Sequence, residues 1–139
     1  MNENLRRAQQ ILDQGVYTCV LCKDHITRTC TTRGVRPLLE LLEEGDWHQF
    51  SAADKVVGKA SAFLYVLLGI EAVYAPVMSE SARQVLEAHG IRPYYETLVP
   101  AIFNRSRSGF CPMETTVKDI DTPSAALEAI RAEFARLNR

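Results

Sequence analysis

Residues 52–68 of the 139-residue chain constrain its fold more than any other stretch. Val56, Val57, Ala60, Phe63, Leu64, Val66, Leu67 and Leu68 recur so densely that a helix built from them has almost no polar face. A helix apolar all round has to be covered on every side. The spacing therefore predicts a buried central helix, closed at Gly69, in a fold with enough other elements to enclose it.

Those elements are legible on either side. Leu5, Ala8, Ile11 and Leu12 form the stripe of an amphipathic helix over 4–14, ended at Gly15. Residues 16–23 and 26–32 are rich in β-branched and aromatic residues and read as a hairpin through Lys23-Asp24-His25. A short helix follows over Val35–Glu44 and a short apolar strand over Glu71–Ala75. Met78–His89 reads as a helix, Ile91–Val99 as a further strand, and 104–111 as a loop leading to a helical turn from Pro112. Thr122 as N-cap and Pro123 at the first helical position open a last helix striped by Leu127, Ile130, Phe134 and Leu137. Strands alternating with helices predict a three-layer α/β/α sandwich, and the opening hairpin makes its sheet mixed. The length suits one domain over residues 1–139.

Charge and cysteine usage exclude several classes. The chain has 16 Lys+Arg against 17 Asp+Glu, spread evenly, which is not the footprint of a nucleic-acid polymer binder. No apolar run approaches the length of a membrane span. The N-terminal Met-Asn-Glu-Asn-Leu-Arg-Arg has no secretory pattern, so a cytoplasmic location with reduced thiols is expected. Cys19-Val-Leu-Cys22 has CxxC spacing, but in a strand those positions face opposite sides. The three histidines have no ligand spacing, so neither a metal nor a cofactor is expected.

Three segments carry chemistry. In Ser51-Ala-Ala-Asp54-Lys55-Val-Val-Gly58-Lys59, the two lysines are four apart at the expected start of the buried helix. Free N–H groups and the helix dipole favour an anion there, whereas cations disfavour the helix, a local conflict that points to function. Gly58 inside a helix costs about 1 kcal/mol against Ala and allows close approach of a backbone or ligand. The structural alternative is a capping-box-like pair of Ser51 and Asp54. In Asn104-Arg105 to Cys111-Pro112-Met113-Glu114, Pro112 suits the first helical position and makes Cys111 the N-cap. A thiol at a helix start near cations is the reactive kind, and Glu114 lies three residues on as base or as cap. The alternative is a buried Cys111 that only packs. In Tyr74-Ala75-Pro76-Val77-Met78-Ser79, Ser79 either caps the next helix or turns its hydroxyl into a crevice beside the strand ends.

The segments Asp54-Lys55-Val56-Val57-Gly58-Lys59-Ala60, Tyr74–Ser79, and Asn104-Arg105 to Cys111-Pro112-Met113-Glu114 resemble an uncharacterised prokaryotic family, a domain of unknown function. The resemblance covers about residues 5–117 and implies a cytidine-deaminase-like fold. Active zinc deaminases place His/Cys-x-Glu and Pro-Cys-x-x-Cys at the starts of two helices. The corresponding segments here read Asp54-Lys55-Val56 and Pro76-Val77-Met78-Ser79-Glu80, so the resemblance implies a zinc-free scaffold with different or lost chemistry.

The leading expectation is a domain that binds a small anionic or nucleotide-like ligand. Lys55, Lys59, Ser79, Asn104 and Arg105 would contact it, and Asp54 would orient a lysine or accept a ligand hydroxyl. A second reading is a thiol- or sulfur-transfer enzyme with Cys111 as nucleophile and Glu114 or Asp54 as base. A third is a non-enzymatic scaffold or regulatory domain acting through an interface, commonly as a homodimer.

Overall fold

The apolar run around residue 60 divides between strands and a helix. In the computed structural model, which describes residues 1–103 and 111–138, Ser51–Asp54 form strand β3 and Val56–Val57 a two-residue strand β4. Helix α3 spans only Lys59–Leu68. The expected helix over 52–68 is thus corrected at its first two turns. Ser-Ala-Ala is buried on both faces, and an interior parallel strand reads as a continuous apolar run, which periodicity alone cannot tell from a buried helix. Gly58 is not inside the helix but at its N-cap, with extended backbone at φ −102° and ψ −177°.

The other elements are α1 (Glu3–Leu12), β1 (Cys19–Lys23), β2 (Ile26–Cys30), α2 (Arg36–Glu44), β5 (Ala72–Ser79), α4 (Glu80–Ala88), β6 (Arg92–Val99), α5 (Pro112–Val117) and α6 (Pro123–Leu137). The predicted strand over 71–75 therefore runs on to Ser79, and α4 starts two residues later than Met78. Neither Asp54-Lys55-Val56 nor Pro76-Val77-Met78 lies on a helix start. Pro76 is tolerated in β5 because it is the one residue of that strand without a ladder partner, opposite the break at Lys55 between β3 and β4. In α6 the stripe holds at Ile130, but Leu137 is exposed.

The sheet is mixed and has six strands. β1 pairs antiparallel with β2 on one side and β3 on the other. β5 pairs in parallel with β3 and β4 in succession, and with β6. Alternate residues of each strand point to opposite faces. Val20, Cys22, Ala53 and Tyr74 meet α1 through Leu5, Ala8 and Leu12. Cys19, Leu21, Ala52 and Val73 point the other way, into a larger core with α3 at its centre. Cys19 and Cys22 are thus on opposite faces, as the spacing requires. Asn2 ties the two ends of this arrangement: its side chain caps α1 by accepting the Leu5 N–H at 2.7 Å and exchanges hydrogen bonds with the buried Ser51 hydroxyl.

Candidate functional site

A helix whose N-cap is glycine has no side chain of its own for its first amides. Helix α3 receives one from another element. Glu114 of α5 accepts the Lys59 N–H at 2.8 Å and the Ala60 N–H at 3.0 Å. A methyl group on Gly58 would stand 2.6 Å from this carboxylate, so the close approach that glycine permits is to Glu114. The anion expected at this helix start is therefore supplied from within the chain. Lys59 answers in the other direction. Its ammonium donates to the Lys118 carbonyl at the end of α5 at 2.9 Å and lies 5.7 Å from the centre of the Phe63 ring. The two helices cap each other.

Asp54 ends β3 and so stands at the carboxyl end of a sheet strand, where ligands bind in open α/β folds. It is not a capping residue at N3, and with Ser51 in the same strand the capping-box expectation is corrected. The Tyr65 hydroxyl donates to its Oδ2 at 2.7 Å, and the Cys19 Sγ lies 3.2 Å behind that hydroxyl. Burial pushes the Asp54 pKa up to about 7, against hydrogen bonds from Tyr65 and from the backbone of Val56 and Lys55. Burial, with Asp54 and Cys19 close by, also pushes Tyr65 well up, so Tyr65 keeps its proton and serves as a donor.

Asp54, Lys55, Cys111 and Glu114 all line one cavity of about 470 Å³ beside the α3 N-terminus. Lys55 sits in the break between β3 and β4 and is exposed. Cys111 is the N-cap of α5, partly exposed, and its N–H donates to the Ile102 carbonyl at 3.2 Å. Val35, Val56, Ile102 and Met113 give this cavity apolar walls, and Arg33 adds a second cation at its rim.

Two predicted ligand contacts lie elsewhere. Lys59 does not share a helix face with Lys55. It faces a second cavity of about 350 Å³ with Lys118 and Ser81, divided from the first by Glu114 and Ile102. Lys55 precedes α3, so the four-residue spacing carries no helical periodicity there. Ser79 is fully buried, and its hydroxyl accepts the Ala82 N–H at 3.1 Å as the cap of α4. Asn104 and Arg105 lie outside the described residues.

Arg33 and Tyr65 escaped the reading of the sequence. Arg33 sits next to Gly34, where the chain turns at φ +68° between the hairpin and α2. Tyr65 had a signal: a buried tyrosine on an otherwise apolar helix needs a polar partner. Among the described residues, no three His, Cys, Asp or Glu side chains are grouped to hold a metal ion.

Residues 7–134 match the family described as "TM1506: Domain of unknown function (DUF1893)". The crystal structure of a DUF1893 family protein (TM1506) from Thermotoga maritima superposes with a TM-score of 0.83 at 24% sequence identity. The match covers 98% of this chain and 92% of that one. No protein of curated function matches.

Proposed function

From the premise that the chain belongs to the DUF1893 family, a domain of unknown function, we propose that it binds a small anionic, nucleotide-like ligand in the cavity beside α3. The observation that carries this reading is the meeting of opposite chemistries in one cavity. Arg33 and Lys55 offer positive charge at the rim. Asp54 offers an acceptor, or a proton to share, at the carboxyl end of β3. Val35, Val56, Ile102 and Met113 offer a wall for a ring. A phosphate or carboxylate would sit at the cations and a ligand hydroxyl or amino group at Asp54. A cavity of about 470 Å³ is within the range that encloses such a molecule.

Glu114 is absent from the ligand's side of this scheme because both its oxygens are engaged by α3 amides. It holds the wall in place. On this reading the scaffold is cytidine-deaminase-like but without the zinc motifs: Asp54-Lys55-Val56 stands at a strand end rather than a helix start, and Pro76–Glu80 holds no thiolate. Binding chemistry then occupies the place of hydrolysis.

The test is a melting series against nucleosides, nucleotides and sugar phosphates. A ligand at a hundred times its Kd adds about 2.7 kcal/mol, a rise of roughly 10 °C for a domain of this size. Arg33→Ala and Lys55→Ala should each remove most of the rise for the phosphorylated compounds while leaving the unliganded Tm within about 2 °C. No rise with any compound at millimolar concentration sinks the reading.

A further inference from the structure

The row of residues that ends at Asp54 continues across the sheet, away from the cavity. In the ladder, Cys19 of β1 stands directly opposite Asp54 of β3 on one side and Cys30 of β2 on the other. All three strands present this row to the face on which α3 lies, and Tyr65 of α3 bridges Cys19 to Asp54. We propose that Cys19 and Cys30 form a peroxide-oxidisable dithiol whose closure to a disulfide withdraws Cys19 from Tyr65 and so alters the hydrogen bonding of Asp54 in the cavity.

The pair is built for closure. Directly opposed residues of antiparallel strands have Cβ atoms about 4.5–5.5 Å apart, and a disulfide asks for about 3.5–4.5 Å, so a small approach of β2 to β1 suffices. The two thiols are also unequal. Cys30 opens onto a separate depression of about 170 Å³, lined by Arg28, Thr32, Pro37 and Glu40. Arg28 Nη1 stands 4.0 Å from its Sγ, and the guanidinium is anchored by Glu44 through Nε at 3.1 Å and Nη2 at 2.6 Å. The hydrogen bond with Cys19 lowers the Cys30 pKa, and Arg28 lowers it further against partial burial. The same hydrogen bond and full burial push Cys19 well up. Cys30 is the attacking thiolate and Cys19 the resolving thiol.

The small depression favours a hydroperoxide over a bulky disulfide as oxidant. The Cys30 thiolate attacks the terminal peroxide oxygen. The O–O bond breaks, Cys30 becomes a sulfenic acid, and the departing oxygen leaves protonated as water or an alcohol. Cys19 then attacks the sulfenic sulfur. The S–S bond forms, the S–O bond breaks, and water leaves with the Cys19 proton. Two electrons pass from the thiols to the peroxide, and a dithiol reductant restores the pair.

The test uses the full-length protein, reduced and then treated with hydrogen peroxide. Peptide mapping without reduction should show Cys19 joined to Cys30, with both lost to alkylation at one rate and Cys22 still alkylable after unfolding. In Cys19→Ser, a sulfenic acid should be trapped at Cys30. The Asp54 carboxyl is followed in parallel by its carbon chemical shift across pH. Its midpoint should move on oxidation, because the disulfide sulfur no longer exchanges a hydrogen bond with the Tyr65 hydroxyl that donates to Asp54. Modification confined to Cys111 overturns the proposal, and so does a Cys19–Cys30 disulfide that leaves the Asp54 midpoint in place. Neither readout requires a ligand, so failure here is separate from failure of the binding reading.

Discussion

Asp54 keeps a proton in the folded chain over a range of pH in which the unfolded chain has released it. Its folded pKa is about 7, and a free aspartate titrates near about 3.9. Below pH 4 both states are protonated and the group is neutral to stability. As pH rises from about 4 to 7 only the unfolded state gains by ionising, so stability falls, and above 7 the loss is complete. With allowance for the residue's partial exposure to the cavity, the loss is on the order of 2–3 kcal/mol. Asp54→Asn should therefore stabilise the chain by about that amount at pH 8 and by little at pH 4, as urea unfolding at the two pH values would measure. The amide oxygen can take the backbone donors and the amide nitrogen can donate to the Tyr65 oxygen, whose own hydrogen turns to the Cys19 sulfur, so the swap strands no buried group. The sequence marks Asp54 as a polar residue closing an apolar run. It does not show that Tyr65, eleven residues on, will be its partner. That contact depends on β3 and α3 being separate elements, which the local pattern hides.

Between α3 and α5 the stabilising contact is a shared one, and it has a distinctive signature. Glu114→Ala leaves two helix amides without acceptors and should cost about 1–2 kcal/mol. Gly58→Ala meets no backbone penalty at φ −102°, so its cost is the collision with Glu114, about 1–3 kcal/mol. In the double variant the collision has nothing to act on. The second substitution should then be nearly free, and a double-mutant cycle would read a coupling of at least about 1 kcal/mol. Additive losses would disprove the contact. Cys111 at an N-cap, Pro112 and Thr122 were readable as punctuation, whereas Gly58 was read as interior to a helix that it in fact opens. The reading failed where a buried parallel strand imitates a helix, and so it set Lys55 and Lys59 on one helical face when a strand break and Glu114 keep them in separate cavities.

For the molecule as a whole, the two faces of the sheet are covered unequally. Among the described residues α1 is the helix packed on one of them, and the larger core lies on the other. Leu5 is fully buried there, and Leu5→Ala should cost about 2–4 kcal/mol. It should also raise the native-state alkylation rate of Cys22, which faces α1, more than that of Cys19, which faces α3. Equal acceleration of both thiols would mean that α1 does not open on its own. Alternating strands and helices, the hairpin and the opposed cysteines made a mixed sheet with helices on both faces foreseeable from the residues. The residue types flagged in two segments do share the cavity, but no local pattern shows that they meet, because α3 and α5 bring Gly58 and Glu114 together across more than fifty residues. That separation also bears on synthesis. A ribosome delivers Gly58 and the first amides of α3 some 55 residues ahead of the glutamate that caps them. At about 5–20 residues per second this is an interval of several seconds. A nascent chain stalled before Glu114 carries the strands of the site and a helix with a bare leading end, and the cavity gains its last wall only when α5 emerges from the exit tunnel.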